Sequence, residues 1–444
     1  MRWGLLAVLS AGLLLIGLDN SILYTAMPTI AQQLGTSPQQ DLWIINAYPL
    51  AVAALMLGTG PLGDRYGHAL LFSIGLIAFG VASVCCAAAP TPELLIAARG
   101  LLGVAAAVMM PPTLALIQQT FVNARERNTA VGIWASASTV GAAAGPVVAG
   151  LLLERFWWGS IFLVNVPIVA AALAALAFIR PRNLHRPGSL IDAPSVALSA
   201  LTLICFTLAL KGQPLFAVPA VAGGWLFGRR QARLERPLLR LDLFANRTLT
   251  GGVVAAGFAY LGVASVEYLA TQRFQTVAGL SPLEAGALVA LVVVAALPSS
   301  ILAGALLHRT GYLPPIVGGS LLAAAGVALA ALNVDHTPTF LAAMLCLGAG
   351  TGGAFSAAST AIISAAPPHH EGMAAGVEEV TYELGALVGV AFIGTCAATL
   401  GAHLTERGLE PAEATDAAFA ASLGAVAAIL AATAAASAWL FARR

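Results

Sequence analysis

The chain has 444 residues, 59% of them hydrophobic and only 9% charged, with a mean hydropathy of +0.88. Soluble domains carry about 25% charged residues, so this composition excludes one and indicates an integral membrane protein. Net charge is +1, and the basic residues fall in short stretches between apolar runs, which excludes a nucleic-acid-binding surface.

A helical crossing needs about 20 mostly apolar residues. In chain order the apolar runs predict six spans, at 5–30, 42–62, 70–89, 94–121, 129–153 and 161–179. Two more follow at 193–210 and, shorter, at 215–227. A second set of six lies at 250–270, 285–307, 313–332, 340–363, 373–400 and 417–441. The opening MRWGLLAVLSAGLLLIGLDN has the positive start and apolar middle of a signal peptide. Its apolar pattern runs on through Ile30 without a small-residue cleavage site, so it is expected to remain as the first span. The expectation is an all-α membrane protein of about fourteen transmembrane helices. It comprises two six-helix halves, 1–185 and 249–444, with two inserted helices and a basic loop over 186–248.

Sixteen of the 21 Lys and Arg residues fall in loops on one side of this layout. Four (Arg155, Lys211, Arg273 and Arg407) fall on the other, and Arg99 lies within a span. Cytoplasmic loops hold the excess of positive charge, so both termini are expected in the cytoplasm of a bacterial inner-membrane protein. The most basic stretch, FGRRQARLERPLLRLDLFANRT (227–248), reads as a topology anchor near anionic headgroups. Repeated halves commonly place a transport site between them near the midplane.

Asp19, Arg99, Glu267, Glu378, Glu379 and Glu383 are ionisable residues within predicted spans. A charge at a helix centre costs about 2.5–3.5 kcal/mol on insertion scales, so each marks a transport pathway, an ion pair or a position near an interface. Glu379 and Glu383, spaced i, i+4, share one helix face. Two carboxylates in low dielectric oppose each other's ionisation, and such a site holds a proton or an organic cation but not both. That competition is the physical core of a proton-for-cation exchanger. Arg99 lies near the outer end of its span, within reach of Asp19, which is therefore either an exchange site or half of an ion pair. Trp43, Tyr48, Tyr268 and Tyr382 are candidate cation–π partners, each worth about 2 kcal/mol or more when desolvated.

Competing chemistries have little support. No nucleophile-and-base pair or metal-ligand set appears, so neither an enzyme nor a cofactor is expected. Cys85, Cys86, Cys205, Cys346 and Cys396 sit singly or adjacently in apolar runs and read as small buried hydrophobes. GAGTGG (348–353) matches a dinucleotide fingerprint but lies inside a span, where helix packing is its natural role. His369, His370 and Glu371 read as a solvated loop rather than a metal site.

Three motifs connect the spans to transport. GPLGDRYGHALL (60–71) is a short turn between spans two and three, with Gly60 and Gly67 permitting close approach and Asp64 and Arg65 available to neighbouring helices. AARGLLGVAAAVMMPPTLAL (97–116) carries Arg99. VGAAAGPVVAG (140–150) places Gly141, Gly145 and Gly150 on a packing face with Pro146 as a bend. At these residues the chain closely resembles the major facilitator superfamily, in its fourteen-span drug:proton antiporter branch. LDNSILYTAMP, LWIINAYPL and WGSIFLVNVP are similar to that branch's first-, second- and sixth-span motifs. AAGVEEVTYELGALVGVA (374–391) is similar to the thirteenth span of its quaternary-ammonium and dye exporters.

The resemblance implies that Gly60, Asp64, Arg65 and Gly67 form a conformational gate and that Gly141, Gly145, Pro146 and Gly150 form the antiporter motif. It also implies that Arg99 serves coupling and that Asp19 holds cation or proton. The partners it implies are protons, small lipophilic cations and membrane lipid, with the monomer as the working unit. Three departures stand out: Asn46 replaces an acid, His68 and Ala69 follow Gly67 where the family usually has basic residues, and GALLHRTG (304–311) looks like a decayed second copy of the gate turn with His308 in the Asp position. Two other readings share the composition: an exporter of a metabolite, amino acid or siderophore, and a transporter-like sensor that binds without moving its ligand.

Overall fold

The computed structural model describes residues 2–183, 192–234, 237–334, 337–365 and 371–442. Fourteen longer helices and two short 3-10 turns, Pro214–Phe216 and Leu241–Ala245, make up the regular structure among the described residues. The first six are α1 (Arg2–Leu34), α2 (Pro38–Tyr66), α3 (His68–Ala87), α4 (Pro92–Thr120), α5 (Ala124–Leu153) and α6 (Ser160–Leu163 continuing as Asn165–Ile179). Next come α7 (Ala193–Leu210) and α8 (Ala217–Gln231). The last six are α9 (Arg247–Thr276), α10 (Pro282–Thr310), α11 (Leu313–Leu332), α12 (Thr337–Ser364), α13 and α14 (Pro411–Ala442). Of these, α13 runs as Glu371–Val388, a π-helical turn Gly389–Ile393, and Gly394–Glu406.

Twelve stretches among the described residues are long and apolar enough to cross a membrane. The expected count of fourteen needs α2 and α8 as well. At 29 residues α2 has the length. The 15 residues of α8 do not: at 1.5 Å per residue they reach about 22 Å, short of the roughly 30 Å hydrocarbon core. The domain boundary expected at 185/186 lies outside the described residues, as do Arg186, Arg236, His369, His370, Arg443 and Arg444.

Compact units form over Met1–Ile204 and Cys205–Arg444, with α7 straddling the division. In the first, α1 packs on α5 and α6, α2 on α4, and α3 on α4 and α6. In the second, α9 packs on α13 and α14, α10 on α12, and α11 on α12 and α14. The same pairing is thus built twice, and the sequence carries its signature at a constant spacing of 244 residues. Ser37 with Gln40 forms a capping box opening α2, and Ser281 with Glu284 forms one opening α10. Gly67 (φ 97°) ends α2 as Gly311 (φ 70°) ends α10; both stand in the left-handed region that side chains disfavour.

Close backbone approach repeats in the same register. Gly141 stands against Leu14 and Leu18 of α1, and Gly145 against Ser21 and Ile22. At 244 residues' remove, Gly385 stands against Gly257 and Leu261 of α9, and Gly389 against Leu261 and Ser265. Small residues at four-residue spacing bring two helix backbones together, the usual device for packing in lipid.

The cysteines depart from expectation. Only Cys86 is buried, while Cys85 and Cys396 are exposed on helix surfaces and Cys205 and Cys346 are intermediate. A helix apolar all round keeps no polar face to mark its outer side, so composition alone does not separate core from lipid-facing positions.

Candidate functional site

Asp19 stands on α1 within two turns of Gly17 and Ser21, where the close α1–α5 packing fixes the helix. Its carboxylate is wholly buried and forms a salt bridge with the equally buried Arg99 of α4. The second carboxylate oxygen accepts a hydrogen bond from Asn165 Nδ2 of α6 at 3.3 Å, and the same amide lies 3.2 Å from Ser83 Oγ of α3. Arg99 Nε donates to the Ile44 carbonyl of α2 at 3.3 Å, and its guanidinium lies 4.9 Å from the Tyr48 ring and 6.0 Å from that of Phe162. Five helices thus contribute to one polar network centred on a single ion pair.

In the conformation described Asp19 is half of an ion pair. The face of Tyr48 is given to Arg99. Asn46, on the same helix, is wholly buried, and neither of its amide atoms has a hydrogen-bond partner among the described residues. Trp43 is half-buried.

The second unit gathers a different set. On α13, Tyr382 Oη donates to Glu378 Oε1 at 2.6 Å, one turn away, and Ser359 of α12 hydrogen-bonds the same carboxylate. The Tyr382 ring lies 5.4 Å from that of Tyr260 on α9 and 5.6 Å, edge-on, from that of Phe355 on α12. Tyr260 and Phe355 are themselves 5.9 Å apart, closing a three-ring cluster. Glu383 is buried and Glu379 half-buried on the same two turns of α13. Glu378 and three rings from α9, α12 and α13 therefore meet in this unit, with Glu379 and Glu383 on neighbouring positions of α13.

Glu267 is buried but stands apart. It lies seven residues beyond Tyr260 on α9, which places it on the same face about 10 Å further along. Tyr268 is buried on the adjoining position.

The gate motif is not the short turn expected. Gly60, Asp64 and Arg65 lie in the last turns of α2, whose helix runs to Tyr66, and only Gly67 separates it from α3. Gly67 N–H donates to the Gly63 carbonyl at 2.8 Å, and its own carbonyl accepts from Leu71 N–H at 3.1 Å. Arg65 lies 5.3 Å from the Tyr66 ring. The side chain of Asp64 lies outside the described residues. Pro146 is buried within an α5 that continues unbroken to Leu153, and Gly150 is buried on the next turn.

Tyr260, Phe355, Ser359, Phe162, Asn165 and Ser83 are side chains of these two clusters that sequence reading does not single out. Tyr260 and Phe355 look like any apolar-span aromatics. Asn165 carries a usable signal, an uncharged polar residue inside WGSIFLVNVP.

Comparison with known proteins places the arrangement in context. The family model of the Major Facilitator Superfamily matches residues 9–390 and 247–444. The multidrug efflux pump LfrA of Mycolicibacterium smegmatis is 37% identical over 410 residues, covering 88% of this chain and 80% of that protein. The methyl viologen resistance protein SmvA of Salmonella typhimurium is 37% identical over 405 residues, covering 88% and 82%. Among solved structures, a bacterial homologue of the human lysosomal transporter Spinster, inward-facing and occupied, matches with a TM-score of 0.71 at 15% identity. That match covers 100% of this chain and 96% of the other, a likeness of fold.

Proposed function

This chain belongs to the major facilitator superfamily, and from that membership we propose that it is a multidrug exporter exchanging inward-moving protons for lipophilic, mainly cationic compounds. The observation that carries the reading is the cluster of Glu378, Glu379 and Glu383 with the rings of Tyr260, Phe355 and Tyr382. Carboxylates supply charge for a cation and sites for protons, and aromatic faces attract a desolvated cation through their quadrupoles. A neutral metabolite requires neither. The names of LfrA and SmvA agree with this reading, and methyl viologen is itself an aromatic dication.

In the proposed cycle the substrate enters the second-unit cluster with its carboxylates ionised, and protons replace it on the opposite side of the membrane. Asp19 and Arg99 serve coupling in the first unit. Because that pair is closed to solvent, exchange at Asp19 requires the pair to separate, and the transition between access states supplies the opportunity. Glu267 offers a further proton site along the α9 face that carries Tyr260. The chain acts as a monomer in a bacterial inner membrane, with both termini cytoplasmic. Gly60, Asp64, Arg65 and Gly67 form its cytoplasmic gate, and Gly141, Gly145, Pro146 and Gly150 hold α5 against α1.

Ethidium export from loaded cells tests the proposal. Glu378→Gln and Tyr382→Leu proteins present at wild-type level in the membrane are expected to lose most of the export. Undiminished ethidium export by both defeats the reading.

A further inference from the structure

The gate turn is held by a residue from outside its motif. After α6 the chain turns out through Arg180, in a left-handed conformation (φ 46°), and Asn183 reaches the junction of α2 and α3. There Asn183 Nδ2 donates to the Tyr66 carbonyl at 3.0 Å, and Asn183 Oδ1 accepts from Leu70 N–H at 3.1 Å. The last carbonyls of a helix and the first N–H groups of the next have no partner within their own helices. One side-chain amide here satisfies one of each, across a connection of a single residue. Its two ends differ in chemistry: a carboxylate has no donor for Tyr66, and an alkyl chain has neither function.

Gly67 is fitted to this contact as well as to its own backbone. A β-carbon at Gly67 falls on the amide of Asn183, whereas one at Gly311, the counterpart 244 residues on, meets nothing within 4 Å. Both glycines have positive φ, so Gly311 isolates the cost of backbone conformation from the cost of the contact. The last helix of the second unit runs on to Ala442, so the 244-residue register is lost before the position of Asn183, and Gly311 stands without such a contact.

We propose that Asn183 is a positioning residue for the gate, tying the end of α2 that carries Asp64 and Arg65 to the start of α3. The inference rests on the proposed exporter reading for its functional readout, while its structural half stands separately. A double-substitution cycle tests both halves. Folding stability is measured in detergent, and ethidium-driven proton movement in liposomes, for Asn183→Ala, Gly67→Ala, the pair of them, and Gly311→Ala.

Asn183→Ala is expected to lower the maximal exchange rate roughly tenfold, as for the loss of two neutral hydrogen bonds, with the half-saturating ethidium concentration unchanged. Gly67→Ala is expected to cost more stability than Gly311→Ala, and that excess is expected to vanish in the Asn183→Ala background. Additive effects of Asn183→Ala and Gly67→Ala overturn the contact. Non-additive stability with a wild-type exchange rate for Asn183→Ala overturns the positioning role alone. If Asn183→Ala does not fold, Asn183→Asp serves instead: it keeps the acceptor for Leu70, loses the donor for Tyr66, and is expected to slow exchange about threefold, a wild-type rate overturning the positioning role. Absence of exchange in the wild-type protein refutes the exporter reading and leaves the stability cycle to judge the contact.

Discussion

Removing either member of the Asp19–Arg99 pair is expected to be costly, and removing both much less so than the two losses summed. Asp19 is 0% and Arg99 1% exposed, so neither charge regains water when its partner is deleted. After Asp19→Ala, the guanidinium keeps the Ile44 carbonyl at 3.3 Å and the Tyr48 ring at 4.9 Å, neither of which carries a compensating charge. Breaking a buried pair from one side costs about 3–5 kcal/mol. Arg99→Met, which fills most of the volume without the charge, leaves Asp19 with the Asn165 amide and is expected to cost a similar amount. The double variant has no stranded charge, and coupling of at least about 2 kcal/mol is expected, within the range for residues in direct contact. Urea unfolding of the purified protein in detergent, followed by tryptophan fluorescence, measures all four forms. Effects that add within about 0.5 kcal/mol refute the pairing.

Glycine-mediated packing predicts equal vulnerability in the two units. A β-carbon at Gly145 lies 2.8 Å from the Ile22 backbone nitrogen, and one at Gly389 lies 2.8 Å from the Leu261 carbonyl oxygen, so Gly145→Val and Gly389→Val are each expected to abolish monodisperse protein on size exclusion. In the aromatic cluster, Tyr382→Phe retains the ring contacts at 5.4 and 5.6 Å but loses the 2.6 Å bond to Glu378, whereas Tyr382→Leu loses both. Fluorescence titration with ethidium is expected to show a weakening of about 2- to 30-fold for Leu, from a cation–π contact of about 0.5–2 kcal/mol, and a smaller one for Phe.

Intramembrane charges were the most legible part of the site, because each is expensive in lipid and stands out against an apolar background. Asp19 and Arg99 were placed within reach of each other by span position alone, and they pair. Tyr260 and Phe355 were not legible for the opposite reason: in a helix apolar on every side, an aromatic facing a carboxylate and one facing lipid look the same. The exposed cysteines illustrate the same ambiguity. Gly67 was legible as a special position, but the extension of α2 to Tyr66 was not, since Gly60 and Gly67 read as the two ends of a turn.

The 244-residue repeat lies openly in the sequence, in Ser37 and Ser281, Gly67 and Gly311, Gly145 and Gly389. Superposed on that register, the two units carry their charges in different places. Asp19 and Arg99 correspond to Val263 and Ala343, while Glu378, Glu379 and Glu383 correspond to Trp134, Ala135 and Thr139. One frame, built twice, has been given an ion-pair network in one copy and a carboxylate–aromatic cluster in the other. In the proposed exchanger this division would give coupling to the first unit and substrate binding to the second.

Proton release from liposomes with an acidic interior tests the central claim most directly. The purified protein is reconstituted, a trapped pH dye is followed, and ethidium is added outside. Wild type is expected to dissipate the gradient when the cation is present and Asp19→Asn to leave it intact at equal reconstitution. Gradient dissipation by neutral or anionic metabolites but not by cations, or equal activity of the Asp19→Asn protein, contradicts the account.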